Sequence, residues 1–475
     1  MVVKNKCVIS SSSEATNFLF NNITVKNLIA ILSSQSIYSE VLKLINSNLH
    51  LIKYMSSEDK QALNDKSNIK LDEIIKSLKD WTYSCEPLYI KATELQKFKT
   101  LVMPSLKDII LQTAIKLLLE SYCEKQIFNP QSFGFRRNKS IHHALASVKN
   151  MKGVTWIIEG RINSLFDNIN YKILVNIIKD KLNPDRTLMG IFNKLFKVGP
   201  LVNPFFDIIS PILFNIYLTP LDEFIDKLKE YYARSPSAKP KIYYVRFADE
   251  WVLGMEAPLF TGDGHNNELV QIQEQIKTFI RDRLKLELEK NKLTHLAAPK
   301  NYVDFLGHYI GRRAVNTSLK KNSKDLLNYS LLILIPYNKL KSKLIEKGFA
   351  DDFGRPKYVG KLLHLSDYDI VKYYNRFFTR ILIFYGMADK CSGLREVFYI
   401  LEYSLAHTLA AKHRSSLSKI FKKYGKPIVV NSRDLGKVRF TKPKLYLNKK
   451  FNVELEMWKL EYNTKDPISI LSKIN

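Results

Sequence analysis

The chain has 475 residues, of which 45% are hydrophobic and 12% aromatic, so its composition excludes a protein without a buried core. Lys and Arg number 74 against 46 Asp and Glu, which gives a formal net charge of +28. A surplus of this size indicates a polyanionic partner, and a nucleic acid is favoured. An anionic membrane surface is the weaker alternative, because the basic residues are spread over several segments and not gathered on one amphipathic helix.

Four widely separated cysteines, without a Cys-x-x-Cys pair, exclude a zinc ribbon and indicate a reducing compartment. The longest apolar run, at residues 331–336, is much too short to span a bilayer, so we expect no membrane insertion. The first residues lack both a secretory hydrophobic region and an Arg-rich presequence. Lys far outnumbers Arg, and Ile, Asn, Tyr and Phe are plentiful, which is typical of an A+T-rich genome and favours organelle encoding.

In chain order, residues 1–85 carry apolar residues at helical spacing and predict a helical extension without visible chemistry. Residues 128–140 then combine an aromatic and glycine turn with the basic residues Arg136, Arg137 and Lys139. Cations beside exposed aromatic rings suit the backbone and bases of a nucleic acid. Ordinary solvated charge is the competing interpretation of this cluster.

Residues 243–254 form two runs rich in Tyr, Val, Phe and Trp, interrupted by the adjacent acids Asp249 and Glu250. This pattern predicts a β-hairpin with both carboxylates at its tip. Adjacent carboxylates in such a place are where a nucleotidyl transferase holds metal ions for phosphoryl transfer. An ordinary solvated turn is the alternative, because turns favour Asp.

The C-terminal third holds 28 Lys and Arg against 13 Asp and Glu between residues 331 and 475. Apolar residues recur at helical spacing in 370–385 and again in 394–409, and these stripes are predicted to face a core. The cations beside and after them are candidate RNA contacts, because Lys and Arg neutralise phosphates and release counterions. They are Lys372, Arg376, Arg380, Lys412, Arg414, Lys422, Lys423 and Lys426.

Six segments, in order, resemble motifs of group II intron-encoded reverse transcriptase/maturases. They are a fingers motif at 131–136, a first palm motif at 156–169, a helix after the template-contacting loop at 210–218, the Tyr-Ala-Asp-Asp hairpin at 245–254, and two motifs closing the palm at 286–295 and 305–307. A further region, 374–426, resembles the thumb and maturase domain, called domain X, of the same family. The resemblance implies an α+β fold: reverse-transcriptase-like fingers and palm, with an antiparallel sheet backed by helices, followed by an all-helical thumb and domain X.

The chain departs from the family at positions that matter for catalysis. Arg161 stands where the family has an Asp that binds both metal ions, Glu250 replaces the second Asp of the hairpin motif, and Phe247 replaces its Tyr. Residues 204–207 replace the family's Pro-Gln-Gly-Gly loop. Arg161 removes one negative ligand and adds a charge that cannot be deprotonated. We expect it to pair with Asp249, Glu250 or both, and we expect a relic of the polymerase site without catalytic residues, metal ions or cofactors.

The expected domains are a helical N-terminal extension at 1–85, degenerate fingers and palm at 86–315, thumb and domain X at 316–430, and a basic tail at 431–475. The resemblance implies a maturase that binds a structured intron RNA, through fingers contacts and through the domain X cations given above, and promotes its splicing. The tail has no His or Cys for the family's HNH endonuclease, so endonuclease activity is not expected. A small-molecule substrate is not expected either. The predicted fingers contacts are Lys97, Lys99, Arg136, Arg137 and Lys139.

Two other interpretations stay open. A residually active reverse transcriptase would need Arg161 to swing out and another acid to substitute, and Asp167 is the nearby candidate. A structural RNA-binding subunit of a ribosomal or splicing particle would reuse the fold without acting on introns. The resemblance to degenerate, endonuclease-free members of the family implies a plastid, with a mitochondrion as the alternative. The oligomeric state stays open, a homodimer included.

Overall fold

A computed structural model describes residues 24–47, 55, 57–65, 71–86, 88–91, 100–164, 168–197, 208–234, 241–256, 264–296, 301–312, 331–389, 392–432 and 436–440. The chain divides into two compact units, one formed by residues 1–147 and 155–295 and the other by residues 148–154 and 296–475. The predicted contacts Lys97 and Lys99, the substitute acid Asp167 and the 204–207 segment lie outside the described residues.

The first unit contains a helical layer whose central member, Leu106–Gln126, is buried along most of its length. Polar side chains fix where several helices begin: Ser105 accepts from the backbone N–H of Asp108, and Asp185 accepts from that of Leu188. The helices beginning in this unit are α1 Val25–Ser33, α2 Gln35–Ser47, α3 Ser57–Asp65, α4 Leu71–Lys79, α5 Leu106–Gln126, α6 Ile141–Lys149, α7 Tyr171–Leu182, α8 Arg186–Phe196, α9 Ser210–Ala233 and α10 Gly264–Arg283.

An antiparallel four-stranded sheet packs against these helices in the order β4-β5-β3-β6. Its two central strands are apolar and mostly buried, as expected for strands covered on both sides. A separate two-stranded hairpin precedes it in the chain. The strands of this unit are β1 Leu88–Lys91, β2 Thr100–Met103, β3 Trp156–Ile162, β4 Lys241–Phe247, β5 Glu250–Glu256 and β6 Leu288–His295.

The second unit packs helices around an aromatic core that includes Phe349, Tyr374, Phe378, Phe398 and Phe440. It also contains a three-stranded antiparallel sheet and a short C-terminal hairpin. Its strands are β7 Val303–Phe305, β8 His308–Arg312, β9 Leu331–Leu334, β10 Val429–Ser432 and β11 Gly436–Arg439, and its helices are α11 Tyr337–Glu346, the 3₁₀ turn Gly360–Leu362, α12 Asp367–Phe384, α13 Ser392–Lys412 and α14 Leu417–Tyr424.

The α+β class expected from the sequence is confirmed by this combination of helices and antiparallel sheets. The region 316–430, expected to be all-helical, nevertheless contains strand β9, which pairs with β8, and the first two residues of β10. In β9, fully buried residues alternate with half-buried ones, as expected for a short apolar strand with only one face fully covered. Among the described residues, no helix is long and apolar enough to cross a lipid bilayer.

Candidate functional site

The predicted hairpin is present in the palm-like sheet. Strands β4 and β5 pair antiparallel, and Phe247 lies opposite Glu250, so Ala248 and Asp249 alone form the turn. Ala248 has a positive φ of 54°, which fits a tight two-residue hairpin turn. Asp249 therefore lies in the turn itself, whereas Glu250 begins β5 and belongs to the sheet.

Arg161 lies directly opposite Glu250 in the pairing of β3 with β5. Its Nη2 donates to Oε1 of Glu250, and the two side chains are 41% and 18% exposed respectively. The ion pair expected from the sequence is thus confirmed, with Glu250 as the partner. Register explains it, because side chains directly opposite on neighbouring strands are in contact.

The negative charge of Asp249 is less well compensated than that of Glu250. Burial, and then the neighbouring charge of Glu250, raise the pKa of the Asp249 carboxyl to about 6, and Arg161 opposes this shift only in part. The Arg161 guanidinium thus pairs with Glu250, and it compensates the charge of the Asp249 carboxylate only in part.

These side chains do not suit a pair of divalent cations. Two-metal transfer needs several carboxylates around ions roughly 4 Å apart. Here a fixed guanidinium charge occupies the partner carboxylate, and it repels cations. Across the described ranges, no group of three or more His, Cys, Asp or Glu side chains is arranged to hold a metal ion.

A fully buried charge network anchors the hairpin to α9. Arg246 donates through Nε and Nη2 to both carboxylate oxygens of Asp222, at 2.8 and 2.6 Å. Its Nη1 donates to Oδ1 of Asn215 and to the carbonyl of Ala248, both at 3.1 Å. Tyr244 donates its hydroxyl to Asp222 at 2.8 Å. The bidentate ion pair between Arg246 and Asp222 thus attaches the hairpin, whose turn carries Asp249, to α9.

The segment that resembles a fingers motif is bound to the same hairpin. The backbone N–H of Phe133 donates to the carbonyl of Arg246, and the N–H of Arg246 donates to the carbonyl of Gln131, each at 2.9 Å. A Cβ on Gly134 would lie 2.3 Å from the backbone nitrogen of Ala248, so only glycine allows this approach. Its carbonyl accepts from Asn215 at 2.5 Å.

The structure gives Arg136 a different role from the surface contact expected from the sequence. Its side chain is buried, and it donates to both carboxylate oxygens of Glu124 at 2.8 and 2.7 Å and to the carbonyls of Asn129 and Ser132 at 2.6 Å. These bonds fold the loop and leave the guanidinium away from solvent. A run of basic residues is expected to be exposed to solvent. The burial of Arg136 was not predicted because its partner, Glu124, lies on α5, 12 residues earlier in the chain.

The two neighbouring cations lie closer to solvent. Arg137 is exposed. Lys139 is half-buried, with its Nζ 4.8 Å from the ring centroid of Phe133. Burial, together with the nearby Arg136 charge, lowers the pKa of Lys139.

The candidate contacts in the second unit divide into two kinds. Lys412 is partly buried and donates to the carbonyl of Leu365 and to Asp367, at 2.6 and 2.7 Å. Asp367 also accepts from the hydroxyl of Tyr424 at 2.6 Å, so Lys412 helps to join three helices. The remaining cations lie at the surface, except that Arg380 is half-buried; they are Lys372, Arg376, Arg380, Arg414, Lys422, Lys423 and Lys426.

Comparison with known proteins gives the family. Residues 90–310 match the reverse transcriptase (RNA-dependent DNA polymerase) family, and residues 328–471 match the type II intron maturase family. The group II intron-encoded protein LtrA of Lactococcus lactis subsp. cremoris is 31% identical over 427 residues, which cover 74% of this chain and 69% of LtrA. The chain belongs to the group II intron-encoded protein family. The resemblance seen in the sequence is thereby confirmed.

More distant relatives of this group II intron-encoded protein come from mitochondria or carry intron names. The putative COX1/OXI3 intron 2 protein of Saccharomyces cerevisiae is 24% identical, over 83% of this chain and 55% of its own length. The uncharacterized mitochondrial protein ymf11 of Marchantia polymorpha is 24% identical, over 68% of this chain and 56% of its own length.

Proposed function

We propose that this protein is an intron maturase that binds a structured group II-type intron RNA and promotes its splicing, having lost DNA polymerase activity. In this proposal the RNA carries out the cleavage and joining, and the protein stabilises its reactive fold. The observation that carries the proposal is the ion pair between Arg161 and Glu250, which joins the two central strands of the palm-like sheet beside the hairpin turn.

The cost of placing a metal ion beside Arg161 supports the loss of polymerase activity. At about 4 Å and an effective dielectric near 20, two like unit charges repel by about 4 kcal/mol, and a divalent ion would feel roughly twice that. Glu250, already neutralised by the guanidinium, offers little to offset this cost. Polymerisation would require Arg161 to leave Glu250 and so release this carboxylate, beside Asp249, for metal binding.

The exposed cations support the RNA-binding part of the proposal. Side chains on α12 and around α14 can neutralise phosphates, which makes RNA affinity fall steeply with salt. We assign Arg136 to supporting its own loop in the first unit and Lys412 to supporting the helices of the second unit, because both side chains are bound inside the protein. Lys97 and Lys99 stay proposed contacts. The proposed direct contacts on described residues are Arg137, Lys139, Lys372, Arg376, Arg380, Arg414, Lys422, Lys423 and Lys426.

We infer that the protein works in an organelle. The names of the COX1/OXI3 intron and mitochondrial relatives support a mitochondrion, and an amino-acid composition typical of an A+T-rich genome supports an organellar genome of either kind. A plastid stays the prediction from the resemblance.

Crosslinking the protein to RNA in its native organelle, followed by sequencing of the bound RNA, tests the maturase proposal. Reads concentrated in one or a few introns, and loss of splicing of those introns when the protein is depleted, are expected. Reads spread over ribosomal or small nuclear RNA, with introns at background, would instead favour a structural subunit of an RNA particle and contradict the proposal.

A primer-extension assay tests the loss of polymerase activity. The purified chain is offered an RNA template and a DNA primer with Mg²⁺ or Mn²⁺, beside an Asp249→Asn variant as the blank. No product above this blank is expected from the wild type. Extension by the wild type that Asp249→Asn abolishes would show a residually active reverse transcriptase.

A further inference from the structure

A ladder of three aromatic rings, of which the first is exposed and the other two are half-buried, runs along α13 and continues onto α14. Tyr399 is 52% exposed, and its ring centroid lies 4.5 Å from that of Tyr403, one helical turn later, with 43° between the planes. Tyr403 in turn meets Phe421 of α14 edge to face, with 5.5 Å between centroids. The core of this unit does not enclose Tyr399, although it is a large ring in contact with another.

Positive charges stand at both ends of this aromatic ladder, defined as Tyr399, Tyr403 and Phe421. Nζ of Lys426 donates to the Tyr403 hydroxyl at 2.8 Å and lies 4.6 Å from the Tyr403 centroid and 5.4 Å from that of Phe421. At the other end, the exposed Arg395 precedes Tyr399 by four residues and so lies on the same side of the helix.

Two acids on α13 lie near these cations and offset their charge in part. Glu396 accepts a hydrogen bond from Tyr337, and Glu402 interacts electrostatically with Lys426. Lys422 and Lys423 are exposed on α14, which adds further positive charge beside the ladder. An exposed aromatic ring bordered by cations is complementary to a nucleotide, which has an aromatic face and a negative phosphate.

We propose that the aromatic ladder is a stacking site for an unpaired nucleotide of the bound RNA. The base stacks on the exposed ring of Tyr399, and Lys426 and Arg395 neutralise the phosphates on either side. This inference rests on the proposed function as an RNA-binding protein and names the kind of RNA element that the α13–α14 surface takes. The other exposed cations supply phosphate contacts that do not depend on the base.

Fluorescence of a short single-stranded RNA containing one 2-aminopurine, flanked by uridines, tests the stacking step. Stacking on an aromatic ring quenches this base, so the full-length wild-type protein should lower its fluorescence as it binds. Tyr399→Ala should weaken binding roughly 5- to 150-fold and abolish the quenching, because one base–aromatic stack contributes about that factor. Tyr399→Phe keeps the ring and should retain both.

Tyr231→Ala is the matched control. Tyr231 is 62% exposed, contacts the ring of Tyr232 at 5.3 Å and also has a cation, Lys227, four residues before it, but it lies on α9, outside the proposed stacking site. Its replacement should leave affinity and quenching at the wild-type values. Lys426→Gln should reduce the salt slope of binding by about one, as expected when one phosphate contact is lost.

Wild-type affinity and quenching in Tyr399→Ala would overturn the stacking site. The same result in Tyr231→Ala as in Tyr399→Ala would also overturn it, because any exposed tyrosine would then serve. If introns dominate the crosslinked RNA but Tyr399→Ala binds normally, the stacking site alone is wrong. If ribosomal RNA dominates and Tyr399 still quenches, the maturase proposal fails and the stacking site stands.

Discussion

Replacing Arg161 tests whether its charge compensates the carboxylates at the hairpin turn. In Arg161→Met the ion pair with Glu250 is lost, and because the Arg side chain is 41% exposed, solvent screens much of the interaction. We expect the free energy of unfolding to fall by about 1–2 kcal/mol, between the values for exposed and buried pairs. In Arg161→Asp a third carboxylate joins Asp249 and Glu250. One like-charge contact at about 4 Å costs about 4 kcal/mol before screening, so we expect a loss of about 2–4 kcal/mol.

Urea unfolding at neutral pH, followed by tryptophan fluorescence with and without Mg²⁺, measures both losses. Mg²⁺ should restore part of the stability of Arg161→Asp, because a cation that binds only the folded state stabilises it. It should leave the wild type unchanged. Arg281→Met is the control, since Arg281 pairs with its neighbour Asp282 on an exposed helix surface. If Arg161→Asp unfolds at the wild-type urea concentration without Mg²⁺, or Mg²⁺ stabilises the wild type equally, the charge argument is refuted.

Three further substitutions test the hairpin and its attachment by urea unfolding. The pKa of Asp249 is raised from 3.8 to about 6 by burial, so the folded protein keeps this proton to higher pH than the unfolded chain. The free energy of unfolding of the wild type should fall as the pH rises from 3.8 to about 6. Asp249→Asn should be up to about 3 kcal/mol more stable than the wild type at neutral pH, and parallel pH profiles of the two proteins would contradict this. Arg246→Met strands the buried Asp222 carboxylate and should cost about 3–5 kcal/mol, whereas a loss below about 1 kcal/mol would mean that the pair is dispensable. Gly134→Ala should cost about 1–3 kcal/mol through its clash with the turn backbone, while Gly190→Ala, in a helix with open space around it, should stabilise by up to about 1 kcal/mol; equal effects would disprove the clash.

The hairpin could be predicted from the sequence because its information is local. Alternating β-branched and aromatic residues on both sides of two acids specify two strands and a turn, and the structure places that turn at Ala248 and Asp249. The pairing of Arg161 with an acid could be predicted as well, because the family resemblance placed Arg161 beside the two carboxylates, where a fixed positive charge needs a counter-charge. The choice of Glu250 over Asp249 depended on sheet register, which the sequence did not specify.

The supports of the site were not predictable, because they depend on pairs far apart in the chain. Arg246 stands out as a charge between Val245 and Phe247, yet nothing local identifies Asp222 on α9 as its partner. For Arg136, the sequence predicts exposure and the structure shows burial. A basic residue in a basic run looks exposed, and its burial follows only from the position of Glu124 on α5.

The attachment of the hairpin does not depend on the acids at its turn. Asp222, Asn215 and the carbonyl of Ala248 hold Arg246 beneath the sheet, and none of these contacts uses the carboxylates of Asp249 or Glu250. The neighbouring strands are also packed closely, because a Cβ on Gly160 would lie 2.2 Å from the Trp251 ring. A substitution such as Arg for Asp at position 161 can therefore change the charge of the site without disrupting the palm-like sheet. In the proposed function, this separation allows a reverse-transcriptase-like fold to serve as a platform for RNA although its metal ligands have changed.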